Sequence, residues 1–164
     1  MDIVYIETSI VSHATARPSN VPATAFLQDQ AKRWMFEQAV KYELVTSQIV
    51  LAEAARGDPD TANRRLAMLA GISVLDENPD VDAVADALIS RSLMPESARL
   101  DALHVATAAI AGVQYLLTQN CTHIANAHEL PRVYRLLDEL GLGGLLIATP
   151  IEFLGDPNDV ESDT

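Results

Sequence analysis

Four oxygen-bearing side chains, Glu7, Glu53, Asp101 and Asn120, stand at points of this chain that can converge on one edge of a fold. Glu7 follows the apolar run Ile3-Val4-Tyr5-Ile6 directly, and the hydroxyls of Thr8 and Ser9 come next. Ligands of open α/β sheets bind just beyond the carboxyl ends of the strands, so an acid in that place occupies the reactive edge. Glu53 lies in an Ala-rich helical stretch one turn after Ile49, on or beside its buried stripe. Asp101 fronts the apolar segment Ala102-Leu103-His104-Val105-Ala106, and Asn120 follows Tyr115-Leu116-Leu117-Thr118. Gathered together, these groups suit a hard divalent metal. Mg²⁺ takes only one or two protein carboxylates and keeps several waters. Such an ion hydrolyses a phosphodiester without a nucleophilic Ser, Cys or Lys.

Each residue also has an ordinary reading. Glu7 can be a surface-facing acid that caps a neighbouring helix, and Glu53 can pair with Arg56 at three-residue spacing, a contact worth little on a surface. Asp101 can answer the helix macrodipole. The Asn120 amide can cap a helix beginning at Cys121-Thr122. His104 and His123 sit among apolar neighbours, where hydrogen bonding in the core or behind the site fits better than ligation. Tyr5, Trp34 and Tyr115 read as packing residues with a polar tip.

The elements that must carry these groups alternate. Apolar runs bounded by turn signals predict strands over residues 3–6, 43–46, 72–75, 115–117 and 145–148. Amphipathic segments predict helices over 23–41, 48–56, 60–70, 81–91 and 97–111, and a broken one over 122–140. Strands separated by helices imply a parallel sheet of about five strands, an α/β fold. Ser47 is placed to cap the helix of Glu53, and Gly57-Asp58-Pro59 to end it. Asn78-Pro79-Asp80 opens another helix, Gly71 and Gly112 stop two more, and 17–22 reads as a loop.

Bulk composition narrows the function. With 164 residues the chain is one domain by prior, able to bury a core without staples. A net charge of −12 argues against a broad electrostatic footprint for nucleic acid, so a polyanionic substrate needs metal ions or a basic partner. Part of that charge lies at the C-terminal end, where 156–164 is expected to form an acidic, disordered tail after a domain of 1–155. The lone Cys121 forms no intrachain disulfide and reads as a small buried or half-buried thiol. No apolar run nears the ~20 residues of a membrane helix. Met1-Asp2 enters a strand without a basic region or cleavage site, so a cytoplasmic location is expected.

Four pieces in order, Tyr5-Ile6-Glu7-Thr8-Ser9, Ser47 to Glu53, Leu100 to Ala108, and Leu116 to Asn120 followed by His123-Ile124-Ala125-Asn126, give the chain its family look. Over about residues 1–155 it resembles the PIN domain family, and within it the VapC-like toxins of bacterial toxin–antitoxin pairs. That resemblance implies a three-layer α/β/α sandwich around a central parallel sheet and a metal-dependent endoribonuclease acting on RNA. It further implies a cognate antitoxin and a homodimer. Carried over by position, Glu7 and Asp101 bind Mg²⁺ or Mn²⁺, Glu53 orients water on the metal, and Asn120 positions a ligand oxygen. Thr8, Ser9 and Thr118 support them through hydrogen bonds. Two positions depart from the family's usual Asp: Glu7 is one methylene longer, and Asn120 supplies no charge.

A competing reading is a catalytically quiet PIN-like module that binds a partner, such as a basic antitoxin whose Arg fills the acidic crevice. A phosphoacceptor receiver fits poorly, because the end of the last strand reads Ala148-Thr149-Pro150 where a Lys is needed. Dinucleotide binding lacks its glycine-rich turn after the first strand.

Overall fold

The computed structural model describes residues 1–91 and 93–153. The expected acidic tail, 156–164, lies outside the described residues. Five parallel strands form one sheet in the order β3-β2-β1-β4-β5: β1 (Ile3–Ile6), β2 (Glu43–Thr46), β3 (Ser73–Val74), β4 (Tyr115–Leu117) and β5 (Leu146–Ala148). The central strand is apolar at consecutive positions because both of its faces are covered. Val4, Tyr5 and Ile6 are fully buried, with Tyr5 in register with Val45 on one side and Leu116 on the other.

Among the described residues, eight α-helices complete an α/β/α sandwich: α1 (Thr8–Thr15), α2 (Pro22–Arg33), α3 (Gln48–Ala54), α4 (Pro59–Leu69), α5 (Val81–Ser90), α6 (Arg99–Ala111), α7 (Leu130–Glu139) and α8 (Pro150–Phe153). Helix α1 packs against α2, α3 and α4, while α5 packs along α6. Small residues let α6 sink deep into the molecule. Ala102, Ala106, Ala108 and Ala109 are buried with Val105 and His104, so polar character on this helix is confined to its first turn and to groups with partners.

Local chemistry explains most boundaries. The Ser47 hydroxyl accepts from the Val50 amide at the start of α3, and Asp58 accepts from Thr61 at the start of α4, with Pro59 at the first helical position. Gly112 ends α6 in the left-handed conformation (φ 70°) that glycine adopts without penalty.

Four expectations need correction. The single helix over 23–41 breaks at Arg33 into a π-helical turn (Trp34–Gln38) and a 3-10 turn (Ala39–Lys41). Trp34 is fully buried, with its ring 5.9 Å from that of Tyr42 and 5.7 Å from that of Phe153, and tertiary packing there overrides regular helix. The broken helix over 122–140 shrinks to α7; turns occupy 121–124, and Asn120 therefore caps a turn. Helix α1 is an addition, since no helix is expected between the first strand and the 17–22 loop. Cys121 is exposed, because it lies in that same turn on the surface.

Candidate functional site

The carboxyl ends of β1, β2 and β4 and the start of α6 meet at one edge of the sheet, and the predicted residues lie there. Glu7 leaves β1 and becomes the N-cap of α1: its Oε2 accepts from the Ser9 amide at 3.0 Å. The same oxygen accepts from the Ser9 hydroxyl and, at 2.8 Å, from the Thr118 hydroxyl beyond β4. Glu7 is only 4% exposed, so these donors replace the water that a buried carboxylate forfeits. The capping reading and the site reading of Glu7 are thus one arrangement.

Glu53 projects from the second turn of α3. Its Oε1 accepts from Thr8 Oγ1 at 3.0 Å and is bonded to His104 Nε2 at 2.5 Å. Thr8 therefore supports Glu53, whereas Ser9 and Thr118 support Glu7. Burial pushes the Glu53 carboxyl upward, but the hydrogen bond and charge of His104, the Thr8 hydroxyl and the Arg56 charge together hold it below the usual range. The exposed Glu53–Arg56 pair is replaced by an inward contact.

Asp101, in the first turn of α6, is bonded through Oδ2 to His123 Nδ1 at 3.0 Å. The Asn120 Oδ1 accepts from the His123 backbone N–H at 3.1 Å, and the Asn120 backbone N–H donates to Thr118 Oγ1 at 3.0 Å. A continuous path of hydrogen bonds thus runs from Glu7 through Thr118, Asn120 and His123 to Asp101. A second path joins Glu53 to α6 through His104, one turn from Asp101.

Behind the acids, Tyr5 bonds Ser47 Oγ at 2.7 Å and His104 Nδ1 at 2.8 Å. Burial drives the Tyr5 phenol upward; the Ser47 bond opposes this, and the charges of Glu7 and Glu53 add to it. Tyr5 therefore stays a neutral phenol. The sequence marks Tyr5 and His104 as polar groups on apolar elements without indicating that they meet. Gln119, flanked by Thr118 and Asn120, is a further contributor that its type does not advertise. Its amide donates to Ser9 Oγ at 2.8 Å, and its side chain anchors to the Leu27 carbonyl at 2.9 Å.

The donor set suits a hard dication in kind. Glu7, Glu53 and Asp101 each commit one oxygen to protein donors, and the other has no hydrogen bond to the described residues. Among the described residues Glu53 and Asp101 each contact a histidine ring, and neither forms a salt bridge with Lys or Arg. No three His, Cys, Asp or Glu side chains among the described residues approach closely enough to form a ready cage. Mg²⁺ asks for one or two carboxylates, so the residues fit its chemistry without enclosing it.

A family model for the PIN domain matches residues 4–138. The chain belongs to the PIN domain family. PIN domains are generally metal-dependent nucleases that typically bind divalent ions. No curated protein matches the chain. Among the described residues, no helix of this PIN domain is long and apolar enough to cross a membrane.

The Glu53 geometry carries a consequence for stability. Because its carboxyl is held below the ordinary value of 4.5, the stabilisation is complete above that pH and is lost as pH falls through the lower folded value. In denaturation experiments between pH 7 and 3, the stability gap between the native chain and Glu53→Gln should narrow below about pH 4.5. A gap that stays constant across this range would contradict the assignment.

Proposed function

We propose that this PIN domain is a metal-dependent endoribonuclease and the toxin of a toxin–antitoxin pair. The observation that carries this reading is the pattern of half-anchored acids, each held through one oxygen while the other has no partner among the described residues. Glu7 and Asp101, with Glu53 beside them, would hold Mg²⁺ or Mn²⁺. When bound, such an ion makes water acidic enough to supply a nucleophile and offsets charge building on the phosphate.

The chain's own groups prepare that chemistry. Ser9 and Thr118 orient Glu7, and Thr8 with His104 holds Glu53, whose remaining oxygen orients a water or receives its proton. Asn120 has committed its carbonyl oxygen to His123, so its amide nitrogen is left to donate to a phosphate oxygen. A basic antitoxin suits a chain of net charge −12, and a homodimer would build a longer groove for RNA.

Incubating the purified, partner-free chain with RNA at about millimolar Mn²⁺, then adding chelator, tests the reading. Cleavage that stops on chelation is expected. The quiet, partner-binding module is favoured by one observation, that no three acids among the described residues converge on a point. Absence of cleavage together with tight binding of a basic partner would select that module instead.

A further inference from the structure

Tyr5, Ser47 and His104 form a buried polar string that the acids alone do not require. All three are at most 4% exposed, and the Tyr5 and His104 rings meet edge-on with centroids 5.9 Å apart. Buried polar groups persist where each donor finds an acceptor, so the proton positions along the string can be worked out.

Ser47 Oγ accepts from the Val50 amide, which leaves its own hydrogen to be donated, and Tyr5 Oη is its buried side-chain partner. The Tyr5 hydroxyl hydrogen then points to His104 Nδ1. With Nδ1 accepting, a neutral imidazole carries its hydrogen on Nε2, which faces Glu53 Oε1. The reverse order fits a neutral ring badly. If Tyr5 donated to Ser47, Nδ1 would hold the hydrogen and Nε2 would set a lone pair against a carboxylate oxygen; only a doubly protonated ring, with hydrogen on Nδ1 as well, would serve that order.

We propose that Tyr5 and Ser47 are positioning residues that lock His104 as its Nε2–H tautomer, so that His104 anchors Glu53 through Oε1 and leaves Oε2 for the reaction. Thr8 donates to the same Oε1, so two donors fix one oxygen and none from the described residues reaches the other. Glu53 is held in one orientation by a string that starts at Ser47, the cap of its own helix, and returns to it through β1 and α6. This rests on the nuclease reading for its purpose, but the tautomer itself does not depend on it.

The test uses the full chain and two readouts. In long-range ¹H–¹⁵N spectra, His104 should show protonated Nε2 and unprotonated Nδ1. Tyr5→Phe keeps the ring and removes the single oxygen, so it should give a mixture of tautomers. In Mn²⁺-dependent RNA cleavage it should lower kcat about 10-fold, with KM for RNA nearly unchanged, as expected for a group behind the acids. His104→Gln, whose amide nitrogen can replace Nε2–H, should retain more activity than His104→Ala.

A native His104 carrying its hydrogen on Nδ1, or a Tyr5→Phe chain that keeps the pure Nε2–H tautomer, would overturn the proposal. So would a Tyr5→Phe chain with altered tautomer and full turnover. If the native chain cleaves no RNA, the nuclease reading fails, and the spectra together with calorimetric Mn²⁺ affinity still decide the string: Tyr5→Phe should weaken that affinity about 10-fold. Unchanged affinity with a pure tautomer refutes it.

Discussion

Asp101→Ala should reduce metal-dependent RNA cleavage by about 100-fold or more while leaving the fold intact. Electrostatic groups aimed at developing charge typically contribute on that scale when removed singly. Stability should change little, because Asp101 is half-buried and its protein contact is with the His123 ring. His123 retains the bond of its amide to Asn120, so the turn stays in place. Asp101→Asn is the sharper comparison. It keeps the shape and an oxygen near His123 but removes the charge, so it should lose nearly as much activity as Ala. Rate measurements across Mn²⁺ concentration, with thermal unfolding alongside, check both halves; full cleavage by Asp101→Ala would remove Asp101 from the proposed chemistry.

The sheet was legible because parallel strands buried on both faces read as short apolar runs, and β1, β2 and β4 fall where those runs do. Helix α1 was not. Its sequence Thr-Ser-Ile-Val-Ser-His-Ala-Thr is rich in β-branched residues and follows β1 with no Gly or Pro between them. It is begun by Glu7, an unusual cap, and so the residue singled out for chemistry also conceals a helix start. The loss of regular helix at Trp34 is likewise a tertiary event, set by rings from Tyr42 and Phe153 that are distant in sequence or close only through the turn itself.

For the site, residue type and position pointed to Glu7, Glu53, Asp101 and Asn120, and the fold links them by hydrogen bonds. Pairing could not be read. Nothing in one dimension assigns Thr8 to Glu53 and Ser9 to Glu7, although the two hydroxyls are adjacent. Successive residues entering a helix point about 100° apart, which is why neighbours serve different acids. His104 and Tyr5 were legible as polar groups needing partners, but their meeting depends on α6 crossing beside β1.

Glu7 offers the second large effect, because its two duties can be separated. Glu7→Ala removes the one acceptor shared by the Ser9 amide, the Ser9 hydroxyl and the Thr118 hydroxyl. Loss of an N-cap together with orphaned buried donors should cost about 3 kcal/mol, a fall of roughly 10 °C in Tm for a chain of this size. Glu7→Gln keeps an oxygen for those donors. It gives up charge-assisted bonds but also removes the cost of burying a charge, and these opposing changes should leave stability within about 1 kcal/mol of the native chain. Activity should not follow stability: without the charge, Glu7→Gln should lose metal-dependent cleavage about as completely as Glu7→Ala. Thermal unfolding and Mn²⁺ titrated cleavage of both variants distinguish the roles. If Glu7→Gln kept full activity, the buried acid would be a helix cap alone, and the metal would have to be held without it.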